Sequence, residues 1–500
     1  MLTGYATDDA TKAYADSRWA DNPKLSPDGW RLLDGLTVAK IGMGTYRMAG
    51  APAERAALRA AWASGLNLVD TAPLYMGGLA EEMIGQELAA AVDNGALTRE
   101  QVVLVTKVGF GAPEVPGAVA LDDGTAYSLH PDFIRGSVAE SAARLGVETL
   151  DVVLLHNPET LLQLAAQSKT GTLEARRAAL DSILVSAFTA LEDLAREGKV
   201  VRYGVSSNTL GTPPHFDDHL DLARLAAAAD AAAQAAWGRR KRSLFRVIEL
   251  PMNLLELGPL RHDNTTAKTF AGDEAVPVLE LAARRHMGVL VNRPLNAFAA
   301  NGEAYRLASA PAEAPSVATA VAAMADAERS IEAAFGGWPA LDGEPLLRVG
   351  LEGAALVEQV SHSIHADQVL ETFFYPRCGL VVDFLDEAGP AHKVPAATLK
   401  KLRAGYLAAF KGYLAAVRGL ARQKDAERLA PLEKALRPRL PDRWASAPLQ
   451  RVALNAVASV PGVTSVLCGC RTDAYVADAR AVLERGDFVD VAAILGATTP

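Results

Sequence analysis

Short apolar runs alternate with amphipathic stretches along most of the chain, as in NLVD, VVLVTK and LDVVLLH. Runs of four to eight residues rich in Val and Leu are typical of buried strands, and the stretches between them repeat apolar positions at the 3.6-residue period of helices. Strict alternation of strands and helices implies a parallel sheet, and eight such units imply a closed barrel. We therefore predict an α/β fold, a (β/α)8 TIM barrel, with strands at 38–44, 67–70, 101–107, 150–156, 201–206, 245–250, 287–292 and 464–469.

Helical periodicity fills the gaps between these strands. The dipeptide Asp34-Gly35 lies between two apolar runs and predicts a type I′ hairpin ahead of the first barrel strand. The helices are predicted at 52–64, 79–92, 131–146, 182–198, 217–237, 274–286 and 446–459.

Three stretches are longer than a minimal barrel needs. Residues 111–130 and 159–181 lengthen the connections after strands three and four. After strand seven, amphipathic runs rich in Ala, Leu, Glu and Lys predict several packed helices. All three stretches follow the carboxyl ends of strands, the face on which barrel active sites are built. The predicted domains are a barrel of residues 1–299 and 446–500 and a helical insertion of residues 300–445 at its catalytic face.

Composition narrows the class of protein. The net charge of −9 and the pI near 5.6 disfavour nucleic-acid binding. The three cysteines, Cys378, Cys468 and Cys470, are too few for a disulfide framework and favour a reducing compartment. The sequence shows neither a signal-peptide pattern nor an apolar run of membrane-spanning length. We expect a cytoplasmic protein that binds neither membranes nor nucleic acids.

Four side chains suited to proton transfer lie at or just beyond the ends of strands two, three and four. They are Asp70, Tyr75, Lys107 and His156. A Tyr with an ordinary pKa of about 10 is a poor proton donor or acceptor at neutral pH, and a neighbouring ammonium favours its phenolate. A carboxylate would hold the Lys in place, and a His could orient a carbonyl oxygen. This set predicts proton transfer coupled to hydride transfer, without a metal.

Simpler interpretations exist for each of these residues and for one other cluster. Asp at a strand end often caps a loop, and His156 could merely bond the backbone. The pair His362 and His365, with Cys378, could bind a metal, but no further ligand at a fixed spacing is apparent. We therefore assign no metal site.

The motifs TVAKIGMGTYRMAG, NLVDTAPLY, LDVVLLHNPE, GVSSN, VIELPMNLLELG, VNRPLNAF and VLCGCRTD follow one another along the chain. In this order they resemble the aldo-keto reductase superfamily, whose tetrad is Asp, Tyr, Lys and His. The resemblance implies that Tyr75 is the general acid and base, that Lys107 lowers its pKa, that Asp70 holds Lys107 and that His156 orients the carbonyl. The form DTAPLY resembles the branch that contains aldose dehydrogenases.

The resemblance also implies NADP as cofactor, with NAD possible. Ser206 with Ser207 or Asn208 would bind the nicotinamide carboxamide. Glu249 stands where the family usually has Gln, and Asn292 where it has a stacking Tyr. Arg293 and Arg471 would contact phosphate, although Arg293 could instead pair with a carboxylate of the insertion. The predicted cofactor surface comprises Gly44, Thr45, Tyr46, Asp70, Ser206, Ser207, Asn208, Glu249, Asn292, Arg293, Leu295, Gly469, Arg471 and Asp478.

Two functions remain open at this point. The first is an NAD(P)-dependent oxidoreductase that interconverts an aldehyde, ketone or sugar lactol and its alcohol or lactone. The second is a nucleotide-binding regulatory or scaffolding protein with little turnover, favoured by the long insertion and by the altered positions 249 and 292. In either case the insertion could carry a contact between subunits of a homo-oligomer.

Overall fold

The computed structural model describes residues 1–169, 171–238, 242–298, 302–309, 316–341, 343–387, 392 and 394–496. The chain divides into two compact units. The first comprises Met1–Pro294 and Arg451–Pro500, and the second comprises Leu295–Gln450. The predicted boundary between residues 299 and 300 itself lies outside the described residues.

The first unit contains a closed barrel of eight parallel strands. Each strand pairs with the next along the chain, and the eighth pairs with the first through Val466 and Ile41. The predicted fold class, a TIM barrel, is confirmed. Its strands are Ile41–Gly44, Leu68–Asp70, Val103–Val108, Leu150–His156, Val200–Ser206, Phe245–Pro251, Gly288–Asn292 and Ser465–Cys468.

Aliphatic side chains from six of the eight strands form a buried cluster in the barrel. Its strands are buried on both faces because helices cover the outside, which explains their nearly continuous apolar sequence. The predicted hairpin is present as Trp30–Leu33 paired with Leu36–Ala39. Asp34 and Gly35 have φ values of 46° and 96°, as a type I′ turn requires. The hairpin residues Leu33 and Leu36 share a buried cluster with Leu68, Val103, Val105, Val152, Leu154, Val247, Leu290 and Leu467.

The seven predicted helices of this unit are present, three of them beginning four or more residues from the predicted start, and the described residues of the unit contain five further helices. The stretch 159–181, predicted as a long connection, is largely helical, because Thr172 caps a helix that begins at Leu173. The helix predicted from residue 274 begins at Val278, after an unpredicted hairpin. The helices are Asp8–Asp21, Pro52–Ala63, Leu79–Asp93, Pro131–Leu145, Glu159–Gln167, Leu173–Arg196, Leu222–Trp237, Gly258–Arg261, Val278–Arg284, Leu449–Ala458, Asp473–Leu483 and Val491–Gly496.

An amino-terminal segment and several short strands lie outside the eight-stranded barrel. The amino-terminal segment packs against it, since Tyr14 donates to the carbonyl of Trp62 and the Ala6 amide donates to Asp151 Oδ1 at 2.6 Å. Short strands form a three-stranded sheet after barrel strand three and the unpredicted hairpin after strand six. They are Phe110–Gly111, Val119–Ala120 and Ala126–Tyr127, then Thr265–Thr269 and Gly272–Val276.

The second unit is mostly helical and has a hydrophobic core of its own, which includes Met324, Ile331, Phe374, Tyr406 and Tyr413. Among the residues the structure describes, no helix is long and apolar enough to cross a membrane. The helices are Val317–Phe335, Val349–Glu358, Ser363–Val369, Leu370–Phe374 (a π-helix), Tyr375–Glu387 and Ala396–Leu436, and strands pair as Asn296–Phe298 with Ala304–Arg306 and Ala340–Leu341 with Glu344–Pro345.

Candidate active site

The ends of neighbouring barrel strands bring the four predicted catalytic side chains together. Asp70 is the last residue of strand two, Lys107 lies near the end of strand three, and His156 ends strand four. Tyr75 begins a short 3-10 helix, Tyr75–Gly78, that follows strand two. Since the carboxyl ends of parallel strands meet at one rim, all four groups lie at the face where barrel enzymes place their chemistry.

The Lys107 ammonium is the centre of the cluster and is fully buried. Its Nζ donates to a carboxylate oxygen of Asp70, to the Tyr75 hydroxyl at 3.2 Å and to the Thr71 carbonyl at 3.2 Å. Burial lowers the pKa of Lys107, but the charges of Asp70 and Glu249 outweigh that effect and raise the pKa above its ordinary value. Lys107 is therefore a permanent cation in this site.

Tyr75 and His156 are neutral in this environment. Burial raises the pKa of Tyr75 and Lys107 lowers it, and the net direction is upward. The lowering by Lys107 was predicted, but the net shift is opposite to the prediction because the sequence does not show how deeply the phenol is buried. Burial, with a smaller contribution from Lys107, lowers the pKa of His156 to about 3. The two rings meet edge to face with centroids 6.2 Å apart.

A second carboxylate, which sequence reasoning placed only on the cofactor surface, also faces Lys107. Glu249 Oε2 lies 3.3 Å from Lys107 Nζ, and Glu249 Oε1 accepts a hydrogen bond from Asn292 Nδ2 at 2.8 Å. Burial and then Glu249 raise the pKa of Asp70 well above its usual range, against the opposing effect of Lys107. Asp70 and Glu249 thus compete for one cation.

The first strand and its loop border the cluster. Gly44 ends strand one, and Thr45 donates to the Asp70 carbonyl from both its amide and its hydroxyl, at 3.0 and 2.9 Å. The exposed Tyr46 ring lies edge-on to Tyr75 with centroids 5.3 Å apart. These contacts fix the backbone beside Tyr75.

The predicted carboxamide-binding residues follow strand five. Ser206 ends that strand, and the Ser207 amide donates to the Glu249 carbonyl at 2.9 Å. The Asn208 amide donates to Glu159 Oε1 at 2.8 Å. Glu159, which sequence reasoning missed, therefore holds this loop in place. No local pattern in the sequence indicated this contact, because Glu159 and Asn208 lie 49 residues apart.

The remaining predicted cofactor residues are more dispersed. Arg293 pairs with Glu256 at 3.0 Å, a residue of the barrel unit and not of the insertion. Asp478 accepts from Arg451 Nε at 2.6 Å. The half-buried Arg471 donates its amide to the carbonyl of Gly469 at 2.9 Å. Leu295 is the first residue of the second unit.

Left-handed backbone conformations concentrate at this rim. Such conformations at non-glycine residues cost roughly 1–3 kcal/mol and cluster at functional sites. Seven described non-glycine residues have positive φ, and four of them directly follow a predicted site residue. These four are Arg47 after Tyr46, Met76 after Tyr75, Asn157 after His156 and Arg293 after Asn292.

The three side chains considered above as metal ligands, His362, His365 and Cys378, make other contacts in the structure. His362 Nδ1 caps a helix by accepting from the His365 amide at 3.1 Å, and Cys378 contacts the Tyr406 hydroxyl at 3.5 Å. Within the described part of the chain, no three His, Cys, Asp or Glu side chains are grouped so that they could hold a metal ion.

The barrel and its rim define a TIM-barrel protein with a buried ammonium and carboxyl group, a half-buried phenol and a neutral imidazole. Residues 40–213 match the family model described as the aldo/keto reductase family, and this part of the chain is similar to that family. The matched range contains all four of these groups.

Individual relatives match about a third of the chain or less. It is 31% identical over 191 residues to D-threo-aldose 1-dehydrogenase of a Pseudomonas species, which covers 35% of this chain and 51% of that one. It is 35% identical over 133 residues to NADH-specific methylglyoxal reductase of Escherichia coli, covering 24% and 39%. The chain thus spans about half or less of these relatives. A solved aldo-keto reductase of Bacillus halodurans aligns over 94% of both chains with 17% identity and a TM-score of 0.47.

The buried Glu159 carboxyl should make folding stability depend on pH. Burial raises the pKa of Glu159 to about 7, although hydrogen bonds from Asn208 and Ser207 oppose the shift. The folded state therefore retains a proton that the unfolded state loses near pH 4.5. The free energy of unfolding should fall as pH rises from about 4.5 to about 7, by roughly 3 kcal/mol in total, and then level off.

The measurement is the denaturant midpoint of the wild type and of Glu159→Gln across that pH range. The difference between the two proteins isolates this carboxyl from the other groups that titrate. Glu197→Gln, at an exposed ion pair with Arg135, is the matched control and should follow the wild type. A difference between wild type and Glu159→Gln that stays constant with pH would contradict the prediction.

Proposed function

We propose that the protein is an NAD(P)-dependent oxidoreductase that interconverts a carbonyl compound and its alcohol, or a sugar lactol and its lactone. The observation that carries the proposal is the 3.2 Å contact between the Tyr75 hydroxyl and Lys107 Nζ, beside the neutral His156 ring. The match of residues 40–213 to the aldo/keto reductase family model and the names of the relatives support the same class of reaction.

The side chains divide the work of carbonyl reduction. The nicotinamide, when bound, supplies a hydride to the carbonyl carbon. Tyr75 donates its hydroxyl proton to the carbonyl oxygen and regains a proton from solvent. Lys107 stabilises the negative charge left on Tyr75, and His156, as a neutral ring, donates a hydrogen bond that orients the carbonyl oxygen. In oxidation Tyr75 first loses its hydroxyl proton to solvent, and its phenolate, stabilised by Lys107, then takes the alcohol proton, while His156 keeps its role.

The residues at the rim fit a nicotinamide cofactor. Thr71 Oγ1 and Asn292 Oδ1 are buried and have no hydrogen-bond partner within the described residues, which is costly unless a ligand or water satisfies them. Both can accept hydrogen bonds, as a carboxamide NH₂ requires. Ser206, Ser207 and Asn208 would hold the carboxamide, and Arg293 and Arg471 would hold the phosphates. NADP and NAD both remain to be tested, because one relative is named as NADH-specific.

A sugar is the substrate class we favour. The segment DTAPLY, Asp70 to Tyr75, resembles the aldose dehydrogenase branch, and the Pseudomonas relative is named for aldose oxidation. Purified protein should therefore oxidise a free aldose, or reduce a small aldehyde, in a panel with both cofactors. The absorbance of the reduced nicotinamide at 340 nm is the readout.

The same panel separates the second function. A protein that retains nucleotide tightly and turns over no member of the panel would be a nucleotide-binding regulatory or scaffolding protein. A chelator arm completes the test, since nothing in the proposed mechanism requires a metal and the rate should be unchanged. Activity lost on chelation and restored by zinc would overturn that mechanism.

The second unit offers a separate prediction. Because it starts directly after strand seven and has its own core, we propose that it contributes to substrate selection or to assembly and not to the barrel's stability. Replacing residues 295–450 by a short Gly-Ser bridge should leave a folded barrel that binds NADPH. Turnover or oligomer size, measured by light scattering, should change. A deletion protein that fails to fold would refute this independence.

A further inference from the structure

Glu249 has an unusual position for a residue expected to bind only cofactor. It lies in barrel strand six with 2% of its surface exposed. Its Oε2 faces Lys107 Nζ at 3.3 Å, and its Oε1 accepts from Asn292 at 2.8 Å. One oxygen is thus directed at the catalytic cluster and the other at Asn292, and the amide of Ser207 fixes the Glu249 backbone.

The balance of charge around Tyr75 follows from this position. The titratable groups that face Tyr75 are Lys107, Asp70 and Glu249, and the rings of Tyr46 and His156 contact its ring edge to face. His156 is neutral, and the carboxyl groups of Asp70 and Glu249 both face the single ammonium of Lys107, so above the raised pKa of Asp70 two carboxylates share one cation. A single carboxylate would neutralise Lys107. The second adds a negative charge that opposes ionisation of a nearby phenol.

We propose that Glu249, acting through Lys107, keeps Tyr75 protonated into the alkaline range and so sets the upper pH limit at which the site can donate a proton to a carbonyl. Glu249 is then a positioning residue of the proton-transfer site, in addition to any contact with the cofactor. This inference rests on the proposed function for its kinetic consequences, but its effect on Tyr75 can be measured without turnover.

Lys107 lies between Glu249 and Tyr75 and contacts both, so the charge of Glu249 can act on Tyr75 through it. Lys107 shares its ammonium protons between Asp70 and Tyr75 while Glu249 lies just beyond hydrogen-bonding geometry. The negative charge of Glu249 reduces the positive potential that Lys107 exerts on Tyr75. The phenolate of Tyr75 is therefore less favoured. The equilibrium of the overall reaction is unaffected, because only the pH dependence of each direction changes.

The kinetic test compares the wild type with Glu249→Gln, which keeps the side chain's size and its acceptor for Asn292. The alkaline limb of kcat/KM for carbonyl reduction should lie about one pH unit lower in Glu249→Gln, equivalent to a tenfold change in the proton equilibrium. Glu87→Gln, which removes the same charge from an ion pair with Arg55 and Arg59, should keep the wild-type limb. Glu249→Asp should return the limb toward the wild-type position.

The proposal would be overturned if the substitution changed only the binding of the cofactor. If Glu249→Gln weakens NADPH binding, measured by nucleotide fluorescence, and leaves the limb in place, Glu249 acts on the nicotinamide alone. Should Glu249→Gln not fold, Glu249→Met, which removes the same charge, is measured in its place.

The second test does not depend on catalysis. Protein labelled with ¹³C at the tyrosine ζ carbon is titrated by NMR, and Tyr75 is assigned by comparison with Tyr75→Phe. The Tyr75 resonance should begin to move toward the phenolate position at lower pH in Glu249→Gln than in the wild type. Identical Tyr75 titrations in the two proteins up to pH 11 would overturn the inference. A shifted titration in a protein that turns over no substrate would instead retain the inference and reject the proposed function.

Discussion

Replacing Tyr75 by Phe should lower kcat by at least about a hundredfold and leave cofactor binding nearly intact. The substitution removes the hydroxyl that exchanges a proton with the substrate, and acid–base groups contribute about 10²–10⁴-fold to enzymatic rates. It retains the ring that packs against His156 and Tyr46. Since the lost interaction belongs to the transition state, KM should change far less than kcat.

Tyr5→Phe is the matched control for this prediction. It removes the same atom from an exposed side chain that is not among the predicted site residues. Steady-state rates and NADPH titrations of the two variants give the comparison. A Tyr75→Phe protein with more than roughly a tenth of the wild-type rate would show that another group transfers the proton.

Lys107→Met should destabilise the barrel as well as abolish turnover. The change leaves Asp70 and Glu249 buried and facing each other without the cation that the structure places between them. Removal of one partner from a buried ion pair costs about 3–5 kcal/mol, because the remaining charge is uncompensated. The loss of stability should appear as a lower denaturant midpoint for Lys107→Met than for the wild type at pH 7.

The charge origin of that loss can be tested directly. Combining Lys107→Met with Asp70→Asn and Glu249→Gln removes all three charges and should recover most of the stability, while turnover remains absent. If Lys107→Met alone is as stable as the wild type, the buried charges are not coupled as the structure indicates.

The meeting of the four proposed catalytic groups at one rim could be predicted from sequence because it depends on a local rule. Asp70, Lys107 and His156 each end an apolar run, and alternating βα units put the carboxyl ends of parallel strands at one rim. Nothing about their neighbours outside these strands was needed. The hairpin at Asp34 could also be predicted locally, because the dipeptide Asp34-Gly35 fixes the backbone conformation of the turn.

Interactions that cross the barrel were beyond that rule. Glu249 lies in strand six and Lys107 in strand three, and their contact depends on the width of the closed barrel and on the length of each side chain. The upward shift in the pKa of Tyr75 has the same origin, since burial depends on all the elements around the ring. The role of Glu159 depends on a loop 49 residues away in sequence, which no local pattern specifies.

The order of elements along the chain has a consequence for synthesis on the ribosome. Barrel strand seven ends at Asn292, and strand eight begins only at Ser465. At about 5–20 residues per second, the intervening segment takes on the order of 10–30 seconds to emerge. During that time strands one and seven are edges of an open sheet, and unpaired edges promote association between chains. The nascent chain is therefore most prone to aggregation in this interval, and chaperone supply should limit its yield more strongly than the stability of the finished barrel.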